Sequence, residues 1–188
     1  MLLILKIVVI GLNKADVDHI KGDPALAVAK DSTYIFFPVA FVQDGSENEA
    51  VATTQQVTTY QKDNVGPVLQ AFDLNMDSAQ ITMTFNEVVK ASSVVAAEAR
   101  LQSAADGSGV SSDALDGAVV GGDSTVVVVQ LTLASANTIR GLSTLGVSDV
   151  TSYLVLSTSF AKDVDENANQ VVTAASAMKV TGFTPDTT

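Results

Sequence analysis

Residues Tyr34-Ile-Phe-Phe-Pro-Val-Ala-Phe-Val-Gln-Asp-Gly-Ser-Glu-Asn48 lie over Tyr153-Leu-Val-Leu-Ser-Thr-Ser-Phe-Ala-Lys-Asp-Val-Asp-Glu-Asn167 at a constant offset of 119 positions. Tyr34 meets Tyr153, Phe41 meets Phe160, and Asp44, Glu47 and Asn48 meet Asp163, Glu166 and Asn167. The matches mix core, turn and polar positions, which is how an internal repeat reads. Toward the N-terminus the same offset places Leu12 on Leu131, Ala15 on Ala134, Ile20 on Ile139, Lys21 on Arg140, Leu26 on Leu145 and Val28 on Val147. Beyond Asn48 a short gap opens, and Val57, Tyr60 and Asp63 meet Val180, Phe183 and Asp186 at an offset of 123. Residues 1–63 therefore repeat the second half of a unit that occupies residues 64–188. The expectation is a chain that starts in mid-domain, either as an excerpt of a longer array or with its missing strands supplied by another molecule.

The complete unit reads as strands separated by turns. Residues 67–74 open with Pro67, at a strand start where no ladder N–H is required. Residues 75–78 form a turn, and 80–85 alternate polar and apolar side chains at the strand period. Residues 94–102 suit strand or a short helix, since Ala and Glu favour the latter. The Gly/Ser/Asp-rich stretch 107–122 is loop with one short edge strand. The valine run in 124–133 predicts a strand buried on both faces. In Ser135-Ala-Asn-Thr-Ile-Arg-Gly141 we expect a short helical turn, capped by Ser135 and stopped by Gly141. Residues 152–160 and 171–181 are the last two strands. Many short strands in about 120 residues predict an all-β, antiparallel β-sandwich. The long 3.6-period segments of bundles and doubly wound sheets do not occur.

Composition agrees. Hydrophobic residues make up 47% of the 188, enough for a core, yet aromatics are only 5% and tryptophan is absent. The net charge of -11 opposes nucleic acid and anionic membranes, which both attract basic surfaces. With no cysteine there is no disulfide, thiolate metal site or cysteine nucleophile. The acidic, Ser/Thr-rich balance favours a cell-surface setting. The apolar start, Met1-Leu-Leu-Ile-Leu-Lys-Ile-Val-Val-Ile10, has no basic n-region, is interrupted by Lys6, and is too short to span a bilayer. Its counterpart in the repeat is the valine run, so strand is the reading.

Three stretches carry a family resemblance. Ile81-Thr-Met-Thr-Phe-Asn-Glu-Val-Val89 runs into Lys90-Ala-Ser-Ser93; Tyr153 leads to Phe160-Ala-Lys-Asp163 and Asn167; and Val180-Thr-Gly-Phe-Thr-Pro-Asp186 has Gln61-Lys-Asp-Asn-Val-Gly-Pro67 as its counterpart. Together they resemble the Ig-like repeats of bacterial S-layer proteins and large adhesins. Asn86 stands where that pattern has Ser, and the turn from Asp163 to Asn167 lacks its Gly. The resemblance implies an extracellular repeat protein with an Ig-like sandwich fold, one that spaces, adheres or builds filaments.

Little in the chain points to chemistry. Asp163, Asp165 and Asn167 offer oxygens at alternate positions, as the first half of a calcium loop does. No sharp-turn Gly follows and no bidentate Glu closes the loop, so a turn held by Asx hydrogen bonds competes with calcium. Calcium suits domain junctions such as Asp63 and Asp186 better. His19 is the single histidine and its counterpart is Thr138, so a catalytic role is not expected. Glu87 and Glu98 have nothing to set them across a cleft as an acid–base pair. Gly107-Ser-Gly109 and Gly121-Gly122 lack the lysine and the strand–loop–helix setting of a phosphate loop. No Asn-x-Ser/Thr sequon occurs. Exposed Thr53, Thr54, Thr58, Thr187 and Thr188 are candidates for O-glycans.

The expectation is a non-enzymatic structural repeat of an extracellular filament or stalk, without cofactor unless calcium. Its partners would be other copies, joined head to tail by β-strand complementation onto residues 1–63. An adhesin module reading glycan or protein through its loops is the alternative. An accessory sandwich of a secreted hydrolase is a third reading, requiring a catalytic domain elsewhere in the gene.

Overall fold

A computed structural model describes residues 7–187. The chain is mostly β, with two short α-helices and several single 3-10 turns. Its elements are α1 (Lys14–Gly22), β1 (Tyr34–Phe37), β2 (Thr53–Gln56), β3 (Leu69–Asn75), β4 (Gln80–Val89), β5 (Ala99–Gln102), β6 (Gly117–Val120), β7 (Ser124–Leu131), α2 (Leu133–Arg140), β8 (Tyr153–Leu156), β9 (Met178–Lys179) and β10 (Gly182–Thr184).

In the second unit β10-β3-β4-β7-β6 make a five-stranded sheet and β5-β8-β9 a three-stranded one. One buried cluster draws on both, with Phe72, Leu74, Ile81, Met83, Phe85, Val127 and Val129 from the larger sheet and Leu101, Leu154 and Leu156 from the smaller. Alternation along β4 buries Ile81, Met83 and Phe85, and β7 answers in antiparallel register, Ile81 opposite Val129 and Met83 opposite Val127. The β3–β4 turn is fastened by the Asn75 side chain, which accepts the Ser78 N–H at 2.9 Å. Phe85 and Phe160 stack with ring centroids 6.4 Å apart. At Gly117 a Cβ would stand 2.6 Å from the Gln130 carbonyl oxygen, so glycine lets β6 approach β7.

Several expectations need correction. The larger sheet is mixed rather than antiparallel, because β10 runs parallel to β3. Strand β7 is buried on one face only: Val127, Val129 and Leu131 point into the core, while Val126 is exposed and Val128 and Gln130 are half-buried. Thr132 caps α2, accepting the Ser135 N–H at 3.2 Å, so the helix begins earlier than expected. The Ser135 hydroxyl instead accepts from the Asp116 N–H. The last expected strand is broken by a 3-10 turn at Ala174–Ser176, and the chain crosses to the other sheet as β10. Residues 94–102 divide into a 3-10 turn, Ala96–Glu98, and strand β5. The strand expected over residues 1–10 falls partly outside the described residues. Residues 7–10 have no regular structure and are exposed.

Residues 13–57 show the same succession as the second half of the complete unit. Helices α1 and α2 begin 119 residues apart, as do β1 and β8. Strand β2 pairs with β1, Tyr34 opposite Gln56 and Ile35 opposite Gln55, as β9 pairs with β8, Tyr153 opposite Lys179 and Leu154 opposite Met178. Even the left-handed backbone positions recur, Ala27 with Gly146 and Glu47 with Glu166.

Candidate functional site

Two features of residues 7–63 stand out, a charged junction with the second unit and an open apolar face. At the junction, Lys21 in the last turn of α1 reaches Asp63 at 2.5 Å and Glu87 of β4 at 2.6 Å. Carboxylate oxygens of Asp63, Glu87 and Asp163 lie within 4.8 Å of one another. Glu87 and Asp163 are buried, and the Lys21 ammonium supplies positive charge to this group. Partial burial works against that ammonium, but its hydrogen bonds to Asp63 and Glu87, with their charges, outweigh it and push its pKa up to about 12. Burial raises the Glu87 carboxyl above its usual range despite Lys21. Asp63 feels burial too, yet Lys21 and the Val65 N–H hold it below that range.

The same device closes the second unit, where Arg140 Nε meets Asp186 at 2.8 Å. Arg140 also donates to the Met76 carbonyl at 2.5 Å. Thus the cation at each helix end grips the acid at the end of its own copy. Of these two cations, Lys21 also bridges to the next unit.

The residues proposed for calcium go to separate tasks. Asp163 accepts the Asn167 backbone N–H and side-chain amide, both at 2.8 Å, as Asp44 accepts those of Asn48 at 3.0 Å. The Asn167 amide also donates to the Asp63 carbonyl at 3.3 Å. Asp165 turns to Lys62 at 3.5 Å. Only Asp163 belongs to the carboxylate group, whose other members come from distant positions. Sequence reasoning missed Lys21 and Glu87 there. The signal was present, because Lys21/Arg140 and Asp63/Asp186 both match in the repeat, which marks them as a pair.

Other candidates are scattered. His19 is exposed in the last turn of α1, and Glu98 accepts from the Ser157 hydroxyl at 2.6 Å whereas Glu87 accepts from Lys21. Gly107 and Gly121 sit in loops with φ of 78° and 107°. Thr53, Thr54 and Thr58 are exposed; the Thr187 hydroxyl donates to Asp77 at 2.6 Å; Thr188 lies outside the described residues.

The open face is best seen by pairing equivalent residues. Phe41 is 44% exposed and Phe160 0%, Ile35 42% and Leu154 0%, Leu26 45% and Leu145 1%. Leu12 and Ile10 are likewise exposed where Leu131 and Val129 are core. A cleft of about 380 Å³ runs between Leu12, Val17, Ile20, Leu26, Tyr60 and Val164. In the complete unit the equivalents Leu131, Ile139 and Leu145 belong to the core with Leu74 and Met76 of the β3 end. The cleft is thus lined by residues whose counterparts in the second copy are core. Each such side chain, if covered, would contribute on the order of 1 kcal/mol.

No helix among the described residues is long and apolar enough to cross a membrane. No family model, curated protein or solved structure matches the chain.

Proposed function

We propose that this chain is a non-enzymatic structural repeat of an extracellular filament or cell-surface stalk. Its complete unit is an Ig-like β-sandwich, and copies join head to tail by β-strand complementation at residues 7–63. One observation carries the reading: the first copy keeps the helix, strands and turn of the second while its core positions face solvent. An exposed apolar face of that kind marks an interaction surface. A contact between two different patches does not close on itself and so propagates. The role asks for stiffness between units, and Lys21 supplies it by tying α1 and Asp63 to Glu87 across the junction. A lysine there also gives the acidic group its counter-charge, the task calcium would otherwise perform at a junction.

Electron microscopy with light scattering tests the proposal. The chain should form elongated particles that grow with concentration, and Ile35→Asp combined with Phe41→Asp should abolish them. A monodisperse monomer at every concentration would refute it.

A further inference from the structure

We propose that residues 7–12 of one copy form a β-strand on the free edge of β1 in a second copy. This rests on the assembly reading above and names the two surfaces that meet.

The donor is the apolar run Ile7, Val8, Val9, Ile10 and Leu12, exposed and without regular structure. Its counterpart β7 is paired on both edges, by β4 and β6. The acceptor is the β1 edge. The Val57 N–H donates to the Thr33 carbonyl at 3.1 Å, so in the antiparallel alternation Thr33, Ile35 and Phe37 bond to β2. Tyr34 and Phe36 then turn their backbone groups to the free side. In the second copy the Val180 N–H meets the Ser152 carbonyl at 2.9 Å in the same way. There β5 takes up the outward edge of β8, antiparallel, with Arg100 opposite Val155 and Gln102 opposite Tyr153. The complete unit thus shows what covers this edge: one antiparallel strand with apolar residues at alternate positions, Ala99 and Leu101 buried. Residues 7–12 meet that description with Val8, Ile10 and Leu12.

Other edges are poorer. Strand β2 is Thr-Thr-Gln-Gln, β9 and β10 have two and three residues, and the outer edge of β5 is held by Ser112 and Leu115. Strand β6 is uncharged but small, Gly-Ala-Val-Val, whereas β1 would bury Tyr34, Ile35 and Phe36. A chain does not serve itself. Residues 7–12 lead through Asn13 straight into α1, and their counterpart β7 lies in the opposite sheet from β8.

Two full-length variants test the pairing. Phe36→Pro removes an outward N–H and leaves the bonds to β2, so it keeps the donor and loses the acceptor. Ile10→Asp keeps the acceptor and loses the donor. By sedimentation each alone should associate at least 100-fold more weakly than the parent, while an equimolar mixture forms a one-to-one dimer. Both should melt with the parent transition of the second unit by circular dichroism. Association of either variant at parent strength, loss of assembly only on Val120→Lys at β6, or a mixture that stays monomeric would overturn the pairing. If the parent associates and Phe36→Pro does as well, the assembly reading stands and this edge falls. A parent that never associates removes both.

Discussion

Lys21 holds two acids of different origin, Asp63 from its own copy and Glu87 from the next. Replacing it with methionine leaves Glu87 buried without a cation, a loss of about 2 kcal/mol once the lysine's partial exposure is discounted. The pH dependence has a definite sign. Because the folded Lys21 pKa lies near 12 against an ordinary 10.5, its stabilisation is complete below pH 10.5 and disappears as pH rises through 12. Glu87 has the same sign, at acid pH. Its raised pKa means the folded state keeps that proton longer, so its contribution falls as pH rises through the interval above its usual value. Urea denaturation should show Lys21→Met less stable at neutral pH, with the gap from the parent narrowing between pH 10.5 and 12. A constant gap would mean that Lys21 acts through packing alone.

At the scale of elements, α2 packs Ala136 and Ile139 into the core and depends on Thr132 for its start. Thr132→Ala should cost about 1 kcal/mol in thermal denaturation. Asn13 caps α1 in the equivalent place, accepting the Asp16 N–H at 2.9 Å, yet α1 buries no residue. Loss of that cap should barely move the main transition. The positions of α2, β4 and the β3–β4 turn were legible in the sequence, because period, turn residues and caps act locally. Thr132 was missed because Ser135, three residues on, is an equally good capping type, and only the helix start decides between them. The valine run misled because continuous apolar character does not say whether the second face is covered. The break before β10 was illegible for another reason. Crossing between sheets is fixed by where β3 leaves an open edge, which is a tertiary fact. Of the candidate site, Asp163 was legible from its turn, whereas Glu87 meets it through the tertiary packing of the second unit, and Lys21 and Asp63 through the meeting of two units.

For the whole molecule, the two copies form an internal control in which the same residue type occupies a covered and an uncovered site. Phe160→Ala should cost about 3–5 kcal/mol, since it opens a cavity beside Phe85. Phe41→Ala should cost under about 1 kcal/mol in dilute solution, because Phe41 is already half in water. It should weaken assembly instead. Amide hydrogen exchange followed by mass spectrometry over a concentration series bears most directly on the claim that another molecule completes the first copy. Amides of residues 7–12 and 34–37 should exchange rapidly when dilute and become protected as concentration rises, with β8 protected throughout. Exchange at residues 7–12 and 34–37 that stays fast at every concentration would contradict the account.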